Sequence, residues 1–132
     1  MKNKLLLTLL VTIFAFTTPS LFAGDVDVKG MVFGKVPYTL AAGYHQSHVK
    51  HMELYAKKKY GIEVRVIDGE TTNNATLAAA ETFVSQGVDG LIVHCNDPVV
   101  MDQIANIGKK AGIPTTSFFS ATASKSVPHT RI

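Results

Sequence analysis

Apolar positions along this chain switch between two periods in a regular order. Val28 to Val36 is a mainly apolar run with Gly30 and Gly34 inside it, and it predicts a first strand. Pro37 and the small residues Ala41, Ala42 and Gly43 then mark a loop. From Tyr44 to Tyr60 the spacing becomes helical, with His45, Val49, Met52 and Ala56 on one expected buried face and Lys57 to Lys59 plus Gly61 as a stop. Ile62 to Asp68 alternates as a second strand, Ile62, Val64 and Val66 on one side and Glu63 and Arg65 on the other. Gly69 to Thr72 reads as a loop. Asn73 is expected to cap an alanine-rich helix over Asn74 to Gln86, ended by Gly87. Val88 to Val93 is a short, unbroken apolar run between turn residues, which suits a strand buried on both faces; the third strand is placed at Asp89 to His94. Asn96 and Asp97 open a helix over Pro98 to Ala111, Gly112 closes it, and Thr115 to Phe119 forms a fourth strand. Ala121 to Ile132 is polar and aperiodic, and is expected to be irregular.

Strand and helix in strict alternation predict an α/β fold, a doubly wound parallel sheet with helices on both faces. Right-handed crossovers give the strand order 2-1-3-4. Ligands of open parallel sheets sit beyond the carboxyl ends of the strands. The polar group His94 to Asp97 falls at that edge, which makes it the first place to look for a site.

The amino terminus changes the picture of charge and location. Lys2 and Lys4 precede an apolar run, Leu5 to Phe16, and Thr17 to Ala23 is more polar with a small residue at its end. This is the layout of a cleavable signal peptide over residues 1–23, implying export to the periplasm, with one domain over 24–120 and a tail over 121–132. The chain has 13 basic and 10 acidic residues; without Lys2 and Lys4 the count is 11 against 10, or +1. Its basic character thus comes partly from the leader, and no broad basic face for nucleic acid is present in the pattern. Cys95 is the single cysteine, so no internal disulfide is available, and its position after a buried strand suits a small packed side chain.

Three features together point to a family. The elements Gln86 to Val93 (Q-G-V-D-G-L-I-V) and Ala111 to Pro114 (A-G-I-P), with the spacing from Asp68 to Gly87, resemble the periplasmic substrate-binding proteins of sugar-type ABC importers, the ribose- and galactose-binding group. The resemblance runs from about Lys29 to Ser120. It implies two similar lobes joined by a hinge, a solute held in the cleft between them, and a membrane permease as partner, with a chemoreceptor or sensor as a further option. It also implies that this chain holds the first lobe only, incompletely, and is expected to bind weakly or not at all by itself. An uncovered sheet edge and exposed Phe118 and Phe119 are expected to favour dimers or aggregates.

The resemblance also assigns roles. Family members place aromatic residues after the first strand to stack on the ligand; Tyr44 and His45 occupy that place. After the third strand the family carries an Asp that accepts hydroxyl hydrogen bonds, and Asp97 matches it. Asp97 or Asn96 could instead cap the third helix, and both roles can coexist on neighbouring residues. Asn96 and His94 are further candidates. After the fourth strand, where the family often has Asp or Asn, stand Phe119 and Ser120; Phe119 cannot accept a hydroxyl, which leaves a more apolar or modified solute open. Glu70 reads as a solvated loop charge.

Little in the pattern favours chemistry. His45, His48 and His51 recur every three residues, so each is turned about 60° back from the one before, and one metal ion could take two of them. His94 and Cys95 are adjacent on a strand and point to opposite faces, which argues against a Cys–His dyad. No glycine-rich dinucleotide loop opens the first helix. The expectation is a solute receptor with no cofactor and no catalytic residue. The alternatives are an exported metal-handling or protein-interaction module using the helix-one histidines, and a non-functional gene remnant.

Overall fold

In a computed structural model, residues 27–118 are described. They form β1 (Val32–Val36), α1 (Gly43–Tyr60), β2 (Glu63–Val66), α2 (Asn73–Ser85), β3 (Gly90–Val93), α3 (Pro98–Ala111) and β4 (Thr115–Ser117). The four strands are all parallel, in the order β2-β1-β3-β4. Doubly wound topology and strand order agree with the sequence pattern.

The register explains which side chains share a face. Gly34 sits beside Leu91, and Leu91 beside Thr115, while Lys35 sits beside Val66 and Ile92, and Ile92 beside Thr116. Alternation then sends Val36, Leu91 and Val93 to one side and Lys35, Ile92, His94 and Phe118 to the other. The first side is the core. Val36, Ala79, Ala80, Phe83, Leu91, Val93, Met101 and Ile104 form one buried cluster between the sheet and the pair α2 and α3. Phe83 is 1% exposed and fills the space that Gly34 leaves; a Cβ on Gly34 would come within 2.6 Å of the Phe83 ring. Burying such a ring contributes about 3 kcal/mol.

The second side is thinner. α1 packs against β2, and of its 18 residues only Val49 is buried, with His45, Met52 and Ala56 half-buried on the same stripe. Leu54 and Tyr55 stand in solvent.

Several boundaries differ from the sequence-based expectation, each for a local reason. Gly30 takes φ +85 and Met31 N donates to Val28 O at 3.1 Å, so the run from Val28 turns before β1 begins at Val32. Thr72, not Asn73, caps α2: its backbone is extended and its hydroxyl accepts from Ala75 N at 3.1 Å. Asn73 instead donates its side-chain amide to Asp97 Oδ2 at 2.9 Å. β4 stops at Ser117, with Phe118 in a bend. The signal-peptide and tail expectations, over 1–23 and 121–132, lie outside the described residues.

Candidate functional site

The carboxyl ends of β1 and β3 are neighbours, and their following loops build one rim. The loop after β1 is held rigidly. Asp68 Oδ1 accepts from Leu40 N and from Glu70 N, both at 3.0 Å, so one carboxylate ties the loop after β1 to the loop after β2. Gly69 N donates to Pro37 O at 3.0 Å and Thr71 N to Tyr38 O at 2.8 Å. A side chain at position 69 would lie 2.6 Å from Pro37 O, so this approach needs glycine. The turn forces Glu70 and Thr71 into positive φ, 50° and 60°, a costly conformation for a β-branched threonine.

On that frame the rings gather. Tyr38 lies 5.5 Å from His94 and 6.4 Å from His45, centroid to centroid. His45 meets His94 edge-on at 5.3 Å and Tyr44 at 5.2 Å. His48, one turn along α1, stacks on Phe118 at 4.6 Å, and Phe118 also meets His94 at 6.0 Å. The cluster thus joins the loop after β1, the first turns of α1, and the residues following β3 and β4. Such ring faces suit the apolar CH face of a carbohydrate, and imidazole nitrogens suit its hydroxyls.

One cation stands beneath the rings. Lys35 is 1% exposed, its Nζ makes no hydrogen bond, and the ammonium lies 4.6 Å from the Phe118 centroid. Burial pushes its pKa down to about 8. Burial, and then the charge of Lys35, hold His48 and His94 below the ordinary histidine range. At neutral pH the rim therefore holds His48 and His94 as neutral imidazoles beside a single ammonium.

Tyr44 and His45 lie in this cluster, and His94 forms its centre. Asp97 is at the same edge but is already engaged. Its Oδ1 accepts from Val99 N at 2.8 Å and Val100 N at 3.2 Å, capping α3, and its Oδ2 holds Asn73. Asn96 beside it is exposed. Phe119 and Ser120 lie outside the described residues. Glu70 is exposed in its loop. Phe118, expected on a bare face, is half-buried between His48 and Lys35. Sequence reasoning gave no site role to Lys35, Tyr38 or Phe118. The available signal was a lysine inside a strand otherwise reading as buried.

The three helix-one histidines separate. His45 and His48 turn into the cluster, whereas His51 is exposed and its Nδ1 donates to Ser47 O at 2.7 Å. Among the described residues no group of three or more His, Cys, Asp or Glu converges to hold a metal ion. Cys95 is buried in the core cluster, its thiol donates to Asp97 O at 3.4 Å, and burial pushes its pKa up. A separate groove of about 600 Å³ lies toward the amino end of β3, lined largely by apolar residues such as Met31, Phe33, Ile92 and Pro114. It is distant in register from the rim and lacks its ring of polar tips. Among the described residues no helix is long and apolar enough to cross a membrane.

A parallel sheet with aromatic and polar tips collected beyond its strand ends is the architecture of an α/β ligand-binding lobe. The model of the periplasmic binding protein domain matches residues 33–130, and the chain belongs to that family. No curated protein matches it. Among solved structures, a solute-binding protein of an ABC transporter from Clostridium phytofermentas with bound L-rhamnose superposes with a TM-score of 0.67 at 19% identity, over 74% of this chain and 30% of that one. One from Bacillus halodurans with bound myo-inositol gives 0.65 at 22% identity, over 75% and 34%. One from Actinobacillus succinogenes with bound D-allose gives 0.65 at 24%, over 73% and 34%. At these identities the likeness is one of fold. The chain spans about a third of the length of these structures.

Proposed function

We propose that this chain supplies one wall of a solute-binding cleft, capturing a small carbohydrate-like solute in the periplasm for a membrane ABC permease. The observation behind this reading is the collection of Tyr38, Tyr44, His45, His48, His94 and Phe118 at the carboxyl edge of β1, β3 and β4. The carbohydrates and polyols bound by proteins of the same fold support it. On this reading residues 1–23 are an export signal, 24–120 form the lobe, and no chemical step is involved.

Tyr44 is 59% exposed and free to stack on a sugar ring. His45 and the neutral imidazole of His94 exchange hydrogen bonds with hydroxyls. Asp97 keeps its two capping bonds on Oδ1 and offers the lone pair that Asn73 leaves on Oδ2 to a hydroxyl beside Asn96. Phe119 and Ser120, which lie outside the described residues, are proposed as solute contacts on the family resemblance alone. One wall makes fewer contacts than two closing on a ligand, so binding by the described residues alone is weak.

Isothermal titration of the full chain against a panel of sugars and polyols tests the reading. Weak binding of at least one, reduced about fivefold by Tyr44→Ala, is expected from the loss of one stacking contact. Silence across the whole panel, or binding indifferent to Tyr44→Ala, would refute the site. Micromolar affinity would contradict the one-wall account.

A further inference from the structure

An ammonium withdrawn from water and left without a hydrogen-bond partner is costly, and proteins keep such a group where an anion compensates it. Lys35 is in that position: 1% exposed, with no acceptor on Nζ and the Phe118 ring 4.6 Å away. Of the carboxylates in the neighbouring loops, Glu70 is exposed and the other two are committed elsewhere. Asp68 accepts from Leu40 N and Glu70 N, and Asp97 from Val99 N and Val100 N. The one ion pair among the described residues is the exposed Arg65–Glu63 contact.

A second feature has the same sign. α1 begins at this rim with Ala42 as its N-cap, which offers no side-chain acceptor, and its first turn contains no acidic residue. α2 and α3, by contrast, are capped by Thr72 and Asp97. The amino end of an 18-residue helix with no cap favours negative charge. Tyr44 and His45, in that first turn, reach the same ring cluster as His94 and Phe118.

Resting on the reading of this rim as a solute site, we infer that its solute is a sugar acid, whose single carboxylate is received by Lys35 and the uncapped start of α1 while the rings hold the carbohydrate body. Phe118 covers the ammonium and is itself only half-buried, so rotation of its ring opens the path to Nζ. One ammonium among neutral imidazoles matches a singly charged carboxylate better than a phosphate, which asks for several donors of positive charge.

The test uses the full chain and three probes: D-galacturonate, D-galactose and inorganic phosphate. Calorimetry is expected to show the uronate binding about tenfold or more tighter than galactose, the advantage of a charge-assisted contact. That advantage should vanish in Lys35→Met, a variant of similar length and no charge. On the wild-type chain the NMR resonance of the Lys35 Cε methylene should move with uronate and stay with galactose, which keeps the test independent of the variant. Galactose binding as well as uronate, or a uronate advantage that survives Lys35→Met, would overturn the inference and leave the solute reading intact. Phosphate binding more tightly than uronate would overturn the choice of carboxylate. If neither carbohydrate binds, the inference falls, and the wider panel of sugars and polyols decides the solute reading.

Discussion

Replacing Lys35 with Met is expected to stabilise the folded chain at neutral pH. Burial lowers the ammonium from its ordinary 10.5 to about 8. At about 1.4 kcal/mol for each tenfold change in proton affinity, holding the charge in place costs roughly 3 kcal/mol. The Phe118 ring, 4.6 Å from Nζ, returns about 1 kcal/mol. Met fills a similar volume without the charge, so a net gain of about 2 kcal/mol follows. The pH dependence gives the stronger check. Because the folded value lies below the unfolded one, the unfolded chain holds more protons between pH 8 and 10.5, and wild-type stability rises with pH across that window. The variant lacks this rise, so its advantage should be full below pH 8 and disappear by pH 10.5. The titratable groups facing Lys35 through the cluster are His45 and His48 from α1, His94 after β3, and Tyr38 in the loop after β1. Lys35→Met relieves part of the lowering at His48 and His94, but both are held below 6.5, outside the window from pH 8 to 10.5. Urea denaturation of the two proteins at matched pH values measures the gap. A variant less stable at neutral pH, or a gap unchanged into the alkaline range, would refute the account of Lys35 as an uncompensated buried cation.

Three further outcomes are expected. Asp97→Ala should lower stability by about 1 kcal/mol by uncapping α3, whereas Asp97→Asn should cost little; equal losses in chemical denaturation would show that the cap is not what Asp97 supplies. Gly34→Ala should cost about 1–3 kcal/mol, since its new methyl would lie 2.6 Å from the Phe83 ring, and a neutral result would mean that the core has room to give. His48 and His94 are held below the ordinary histidine value of 6.5, so the stability they confer is present above pH 6.5 and is lost as pH falls through their folded values. His94→Gln should flatten the acid limb of a stability–pH profile, and an unchanged limb would count against the buried neutral imidazole.

Much of the architecture was legible because local signals agreed. The run Gly90–Val93 had to be a strand buried on both sides, and Gly112, at φ 72, had to end α3. Three right-handed βαβ crossovers then pointed to one strand order. The small errors came where neighbours competed for a role: Thr72 and Asn73 can each cap a helix, and the contact of Asn73 with Asp97, 24 residues away, decides which does. The site was read less completely. Tyr44 and His45, chosen through the family resemblance, do join the ring cluster. Lys35 enters the site only through its register beside Ile92 and through the ring of Phe118, both long-range facts. Within the apolar run of β1 the lysine carried no assigned role, and the pleat turns it inward under the rings.

On the proposed reading of the rim as a solute site, the bonds from Asp68 to Leu40 and Glu70 bear on selectivity. A jaw stitched to its neighbour by a single carboxylate loses little freedom when a guest arrives, so the entropy of settling is already spent before the encounter. Such stiffness sharpens discrimination between stereoisomers, because a misplaced hydroxyl meets a surface that cannot shift to accommodate it.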